Sequence, residues 1–269
     1  MPRTPLARTT VRDALDSALI ALTAVGCETP RLDAEVLLAA ALGVDRAALY
    51  ADPGRGVEVE PFREFVSRRA QREPVAYILG RKGFRRLELD VDPRVLIPRP
   101  ETEHVVEACL ELPRGARVVD VGTGSGAIAL ALADERPDLR VTATDSSAAA
   151  LDVARANGAR LGLEVEWLLG DLLQPVSGPI DAVASNPPYV RAGERLEPEL
   201  GHEPREALYA GPDGLEVYRR LVPAVAGVPF VAFEVGAGQA LDVAALLGEF
   251  TTEVVDDLAG IGRVVVGRR

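Results

Sequence analysis

Two hydrophobic periods divide this chain. Over roughly the first eighty residues apolar positions recur every three to four residues, the spacing of helices that bury one face. Leu15, Ala18, Leu19, Leu22 and Val25 form one such stripe. It opens on Thr10-Val11-Arg12-Asp13, a capping box with Asp in place of the usual Glu, and stops at Gly26. Pro30 suits the first turn of a second helix, with Ala34, Leu37, Leu38 and Ala41 on its apolar face and Gly43 beyond its end. A short helix over 45–50 and a charged one over 61–72 complete the set before Glu73-Pro74. No catalytic constellation falls in this region. It reads as a helical module, residues 1–80, that docks a substrate.

Near residue 87 the period shifts to two. Leu87, Leu89 and Val91 alternate with Arg86, Glu88, Asp90 and Asp92, Asp92-Pro93 turns the chain, and Val95 and Ile97 are expected to return as the second arm of a hairpin. Ile97-Pro98-Arg99-Pro100-Glu101-Thr102-Glu103 follows, stiffened by its prolines, with Pro100 heading a helix over 101–112. Hairpin and linker together occupy 81–100. From Ala116 onward apolar strands alternate with helices, the pattern of an open α/β sheet. Strands are expected at 117–121, 141–145, 165–169, 180–185 and 228–235, and helices at 127–133, 148–161, 214–226 and 239–248, with a loop over 190–211. Only 256–262 separates the last two strands, 251–255 and 263–266, too little for a parallel crossover, so these two pair antiparallel. Such an edge departs from the six-strand dinucleotide order.

Length and charge narrow the classes. At 269 residues there is room for one large or two small domains. Hydrophobic residues at 48% and charged residues at 26% are ordinary for a water-soluble chain. No apolar run approaches the ~20 residues of a membrane span. No signal-type apolar stretch follows the arginines of residues 1–10, so a cytoplasmic protein is expected. A net charge of -11 without a basic tract argues against direct binding of nucleic acid. Cys27 and Cys109 are far apart and His104 and His202 isolated, so neither a metal site nor a catalytic triad is expected, and the cysteines read as buried free thiols.

The chemistry lies between strands and helices. Asp120-Val121-Gly122-Thr123-Gly124-Ser125-Gly126-Ala127 joins the first strand to its helix; glycine admits a ligand close to the backbone, and the helix start offers N–H groups. Gly122, Gly124 and Ala127 satisfy G-x-G-x-x-G/A, and Asp145 stands ~20 residues on, placed to accept both hydroxyls of a ribose. The region asks for a nucleoside cofactor and leaves NAD and S-adenosylmethionine both open. Asp171 is a candidate acceptor for an adenine amino group, or equally a turn or cap residue. Asp120, Asp145, Asp171 and Asn186 each end one of the first four strands, the edge at which open α/β sheets bind ligands. The fourth strand delivers Ser185-Asn186-Pro187-Pro188-Tyr189. Its prolines hold Asn186 and Pro187 extended, so that a side-chain amide, a fixed carbonyl and an aromatic ring stand together, although Asn-Pro is also an ordinary turn signal. A nicotinamide enzyme needs a proton donor near its hydride site, and none is evident here. A clamp for a planar amine, facing the cofactor, suits methyl transfer to nitrogen.

Asn186-Pro187-Pro188-Tyr189 with the glycine-rich turn resembles the S-adenosylmethionine-dependent amino methyltransferases. Leu96-Ile97-Pro98-Arg99-Pro100-Glu101-Thr102-Glu103, Pro74-Val75-Ala76-Tyr77-Ile78-Leu79-Gly80, Glu203-Pro204-Arg205-Glu206-Ala207-Leu208 and Gly211-Pro212-Asp213-Gly214-Leu215 narrow the resemblance to the HemK/PrmC family, across essentially the whole chain. These are the protein-(glutamine-N5) methyltransferases of peptide chain release factors. The Arg-Pro-Glu-Thr-Glu linker looks more like the release-factor enzymes than like the ribosomal-protein glutamine methyltransferases. Lys82-Gly83-Phe84-Arg85-Arg86 departs from the family, which often has an acidic residue before the Phe and a Gly before the Leu.

The resemblance implies a class I methyltransferase fold, a Rossmann-like mixed seven-stranded sheet over 101–269, with a small all-α N-terminal domain and a β-hairpin linker. It implies S-adenosyl-L-methionine as cofactor, held by Asp120, Gly122, Thr123, Gly124, Ser125, Gly126, Asp145, Asp171, Leu172 and Asn186. It implies an acceptor site of Asn186, Pro187, Pro188 and Tyr189: the Asn186 oxygen and the Pro187 carbonyl accept the two amide N–H bonds, and Tyr189 stacks on the amide plane. The partner would be a peptide chain release factor, methylated on the glutamine of its GGQ motif in support of translation termination. Arg99 and Glu101 are expected to line the cleft or, equally, to form structural salt bridges. A DNA adenine-N6 methyltransferase shares the Asn-Pro-Pro-Tyr logic, but flipping a base needs phosphate contacts that an acidic chain lacks. A non-catalytic cofactor-binding scaffold would have no use for an intact acceptor motif.

Overall fold

The computed structural model describes residues 9–269; residues 1–8, most of the stretch scanned for a signal, lie outside the described residues. The chain forms two compact units, Met1–Gly80 with Glu197–His202, and Arg81–Leu196 with Glu203–Arg269.

The first unit is helical, with α1 (Val11–Ala24), α2 (Pro30–Leu42), α3 (Arg46–Ala51), α4 (Glu60–Ala70) and α5 (Val75–Leu79). The capping box closes as expected: Asp13 N–H donates to the Thr10 hydroxyl, and Thr10 N–H to the Asp13 carboxylate, each at 3.2 Å. Leu15 and Leu22 of α1, Leu37 and Leu38 of α2, Phe62 of α4 and Ile78 of α5 share one core. Val25, expected on the α1 stripe, is exposed because the helix has already ended at Ala24. The helix α5 was not anticipated; between Pro74 and a left-handed Gly80 it is too short to display a period. Buried Arg69 joins Asp33 at 2.7 Å and Glu199 at 2.8 Å, which ties the excursion 197–202 into this unit.

The second unit begins with β1 (Arg81–Phe84) and β2 (Leu87–Asp90), paired antiparallel with Arg81 opposite Asp90 and Phe84 opposite Leu87. The expected hairpin is thereby corrected: the partner of 87–90 precedes it. Arg85 makes the turn at a left-handed φ of 51°, its N–H bonded to Glu103 at 3.1 Å and its guanidinium to Glu135 and Glu107. Arg81-Lys82-Gly83 carries no apolar alternation to announce a strand. Asp92 takes the N–H of Arg94 at 3.0 Å, and Val95 and Ile97 become buried loop residues. The fully buried Asn157 bonds both backbone groups of Asp90 and so seats the hairpin on α8 (Ala148–Leu161).

The main sheet contains β3 (Arg117–Val121), β4 (Arg140–Asp145), β5 (Glu166–Leu169), β6 (Ala182–Ser185), β7 (Phe230–Glu234), β8 (Thr251–Asp256) and β9 (Gly262–Arg268). Their order is β5-β4-β3-β6-β7-β9-β8, with β9 antiparallel to both β7 and β8 and the other pairs parallel. Alternate residues feed two cores. Val118, Ala182, Ala184, Ala232 and Val266 face one with α6 (Glu103–Cys109) and α7 (Ala127–Glu135). Val119, Val183, Val231, Phe233 and Val265 face the other with α9 (Glu216–Ala224) and α10 (Ala240–Leu246). Covered on both faces, these strands read as continuous apolar runs. The helix expected over 101–112 is a 3₁₀ turn, Pro100–Thr102, running into α6. From β3 the chain goes out to β4 on one side and later returns to β6 on the other, which opens a crevice at the carboxyl ends of β3 and β6. Cys27 and Cys109 are free and buried, and among the described residues no helix is long and apolar enough to cross a membrane.

Candidate active site

A cleft of about 220 Å³ occupies that crevice. Gly122, Gly124, Asp145, Asp171, Leu172, Asn186, Pro187 and Pro188 line it, together with Ser147, Glu206 and Arg220. Behind the glycine-rich loop, out of the cleft, lie Asp120, Thr123, Ser125 and Gly126. Asp120 is fully buried; one carboxylate oxygen accepts the Thr123 hydroxyl at 2.6 Å and Ala129 N–H at 3.1 Å, and the other has no partner. Burial pushes this carboxyl up to about 7 against those two hydrogen bonds. Asp120 holds the loop to the start of α7. A Cβ built on Gly122 or Gly124 would meet nothing within 4 Å, so bare backbone faces the space a ligand needs.

Three of the loop amides are tied to the end of β4. Gly122 and Thr123 N–H both donate to the Thr144 carbonyl, at 2.9 and 3.0 Å, and Gly124 N–H donates to Asp145 at 2.9 Å. The other Asp145 oxygen accepts Ser147 N–H at 2.8 Å. Burial raises the Asp145 pKa; these N–H groups oppose the rise, and Glu206 adds to it. Asp171 pairs with Arg220 and takes the Gln174 amide at 3.3 Å, and Leu172 adopts a left-handed φ of 49°, uncommon for a branched side chain.

The turn over 185–189 is fixed from several sides. The Ser185 hydroxyl donates to the Val121 carbonyl at 2.7 Å, locking the ends of β6 and β3 together. Asn186 is half-buried, and its Nδ2 donates to the Thr102 hydroxyl at 3.1 Å. The Tyr189 carbonyl accepts the Gln239 side-chain amide at 3.1 Å, and that amide's oxygen takes Gly236 N–H at 3.0 Å. The Tyr189 hydroxyl stands 3.5 Å from Glu234, and burial raises its pKa. Arg99 pairs with buried Glu203, whose other oxygen takes Ile97 N–H at 2.9 Å, so Arg99 serves as a structural partner of the 203–208 motif. Thr102, Gln239 and Glu234 were not singled out from sequence as site residues. The local signal for Glu234 and Gln239 is the run Glu234-Val235-Gly236-Ala237-Gly238-Gln239, and that for Thr102 is its place in the Arg99-Pro100-Glu101-Thr102-Glu103 linker.

The Gly122, Thr123 and Gly124 amides are bonded to the end of β4, and Asp145, Asp171 and Glu206 share the cleft wall with Arg94 and Arg220. A cleft at this edge of the sheet, with bare glycine backbone on one side, has the form of a nucleoside site. With the antiparallel edge of the sheet, this defines a class I S-adenosylmethionine-dependent methyltransferase.

Comparison with known proteins narrows the class. Residues 13–80 match the PrmC N-terminal domain and residues 100–208 the methyltransferase small domain. The release factor glutamine methyltransferase of Koribacter versatilis is 43% identical over 97% of this chain and 99% of its own length. That of Mycolicibacterium smegmatis is 45% identical over 80% of this chain and 79% of its own. A methyltransferase structure from Pyrococcus furiosus shares the fold, with a TM-score of 0.52 at 19% identity over 68% of this chain and 88% of that one. The chain belongs to the release factor glutamine methyltransferase family.

Proposed function

We propose that this protein methylates N5 of the glutamine in the GGQ motif of peptide chain release factors, and so supports translation termination. The observation that carries this reading is the state of Asn186 at the cleft: its Nδ2 is taken by Thr102, which leaves Oδ1 to accept from a planar NH2. An amide nitrogen is a poor nucleophile because its lone pair is delocalised, so the protein must supply alignment and a suitable field. Asn186 Oδ1 and the Pro187 carbonyl accept the two N–H bonds, hold the nitrogen in line, and favour the positive charge that develops on it. Tyr189, anchored by Gln239, offers its ring to the amide plane. S-adenosylmethionine supplies, when bound, a methyl group activated on a cationic sulfur. Asp145, the backbone of Gly122 and Gly124, and the Asp171–Leu172 bend hold it. The proton leaves after transfer, so no His or Cys base is required.

Labelled S-adenosylmethionine incubated with this protein and a purified release factor is expected to place label on that glutamine. A release factor with Glu there is expected to give no product, because a carboxylate has neither the NH2 to be clamped nor the nitrogen to be methylated. Label on a ribosomal protein or on duplex DNA instead would overturn the reading. For the cofactor side, Asp145→Ala is expected to weaken binding by ~1.5–3 kcal/mol, the scale of a hydrogen bond to a charged group. Calorimetry checks it, and an unchanged affinity takes Asp145 out of the site.

A further inference from the structure

One cation in the cofactor cleft has no task in the mechanism above. Arg220 belongs to α9, where Tyr218 and Leu221 face the second core and fix the rotation of the helix. Val217 and Arg220, each one position earlier, line the cleft. Arg219 lies outside that lining and pairs with Asp213. Arg220 pairs with Asp171 through Nη2, and the Gln174 amide meets the same carboxylate oxygen, Oδ2, at 3.3 Å. Among the described residues none donates to Asp171 Oδ1. The Arg220 and Asp171 side chains are 49% and 39% exposed, so both groups are open to a ligand.

The topology says which part of the ligand they meet. The order β5-β4-β3-β6 sets Asp171, two residues past β5, beside Asp145 at the end of β4. Asn186, just past β6, lies on the far side of β3. A ribose on Asp145 whose sulfur arm runs toward Asn186 leaves its base on the side of Asp171. Among the described residues that line the cleft none is aromatic. The base therefore finds no ring to stack on, and its recognition falls to its edge.

We propose that Arg220 and Asp171 together read the edge of adenine. Asp171 Oδ1 accepts an N–H of the 6-amino group, and a guanidinium N–H of Arg220 donates to the ring nitrogen beside it. The proposal rests on the reading of this cleft as the S-adenosylmethionine site. Adenine shows an NH2 next to an acceptor nitrogen, N7 on one edge and N1 on the other. A carboxylate only accepts and a guanidinium only donates, so the two side by side are the complement of that pattern. Their ion pair orders donor and acceptor before the ligand arrives, which lowers the entropy lost on binding. A 6-oxo base would set an oxygen against the Asp171 carboxylate, and the pair rejects it.

The test is calorimetry of the full-length protein with S-adenosylhomocysteine and with its 6-oxo, 1-deaza and 7-deaza analogues. The wild type is expected to bind the 6-oxo analogue, and one of the two deaza analogues, about tenfold more weakly than the parent. That is the low end for a hydrogen bond to a charged group, as suits a half-exposed pair. In Arg220→Met the parent should bind as weakly as that deaza analogue, and in Asp171→Ala the preference for amino over oxo should vanish. Arg219→Met removes the same charge one position away and should bind all four compounds like the wild type. Methyl transfer by Arg220→Met at saturating S-adenosylmethionine should persist, with the loss appearing in the cofactor KM. Wild-type binding of both deaza analogues as tightly as the parent overturns the proposal. So does a deaza deficit that persists in Arg220→Met, the pattern of a residue that merely braces α9. A wild-type protein that binds none of the four compounds brings down the cofactor site itself, whereas tight but indiscriminate binding brings down this pairing alone.

Discussion

Asn186→Ala is expected to remain folded and cofactor-bound while its turnover falls by ~10²–10³. That is the scale seen when one pre-organised hydrogen bond to the transition state is removed. The structure separates the two effects. Asn186 follows β6 directly and is half-buried, and its side chain makes one hydrogen bond, to Thr102. Losing that bond costs about 1 kcal/mol of stability. Ser185, Pro187 and Pro188 still shape the turn, and the Ser185 hydroxyl still grips β3. The catalytic loss has a different origin, because the acceptor nitrogen loses one of the two oxygens that align it as charge develops. Single-turnover transfer at saturating cofactor and substrate measures this directly. A residue that only shapes the turn predicts the opposite pattern, a lowered melting temperature and lost cofactor affinity without a selective fall in rate. Wild-type transfer by a folded, cofactor-bound variant would sink the mechanism.

Much of the fold was legible because burial and punctuation agree in this chain. β3 and α8 coincide with the expected 117–121 and 148–161, where a doubly covered strand and a Ser-capped, Gly-ended helix carry their own signals. β1 was hidden by Arg81-Lys82-Gly83, and α5 by its shortness. Val95 and Ile97 misled because their apolar character serves loop burial rather than sheet pairing. The site divides in the same way. The place of Asp145 and Asn186 at the cleft was legible because one closes β4 and the other directly follows β6, each beside a loop signal. Thr102 reaches Asn186 across 84 positions, and Gln239 reaches Tyr189 across 50, so neither relation leaves a local trace. The Gly122, Thr123 and Gly124 amides are taken because the β3–β4 pairing brings the Thr144 carbonyl and the Asp145 carboxylate against them, and a one-dimensional reading cannot see that pairing.

Gly214→Ala is expected to cost roughly 2–5 kcal/mol, combining a left-handed backbone penalty of about 1–2 kcal/mol with about 1–3 kcal/mol of overpacking. Gly214 sits at φ 76°, and a Cβ there would lie 2.2 Å from the Tyr189 carbonyl oxygen and 2.6 Å from the Gln239 amide nitrogen. The first clash is with backbone, so no rotamer change relieves it. The carbonyl must move, and its hydrogen bond from Gln239 moves with it. The melting temperature is expected to fall by roughly 4–20 °C, given about 2–4 °C per kcal/mol for a chain of this size. Turnover should fall further than cofactor affinity, since the displaced group is the acceptor turn and not the wall around Asp145. Gly115→Ala isolates the steric part. Gly115 lies in the same unit at a similar φ of 75°, with open space where its Cβ would stand, so only the backbone penalty applies. Equal melting temperatures for the two variants, or a Gly214→Ala enzyme that turns over like the wild type, would show that the acceptor turn does not depend on this contact.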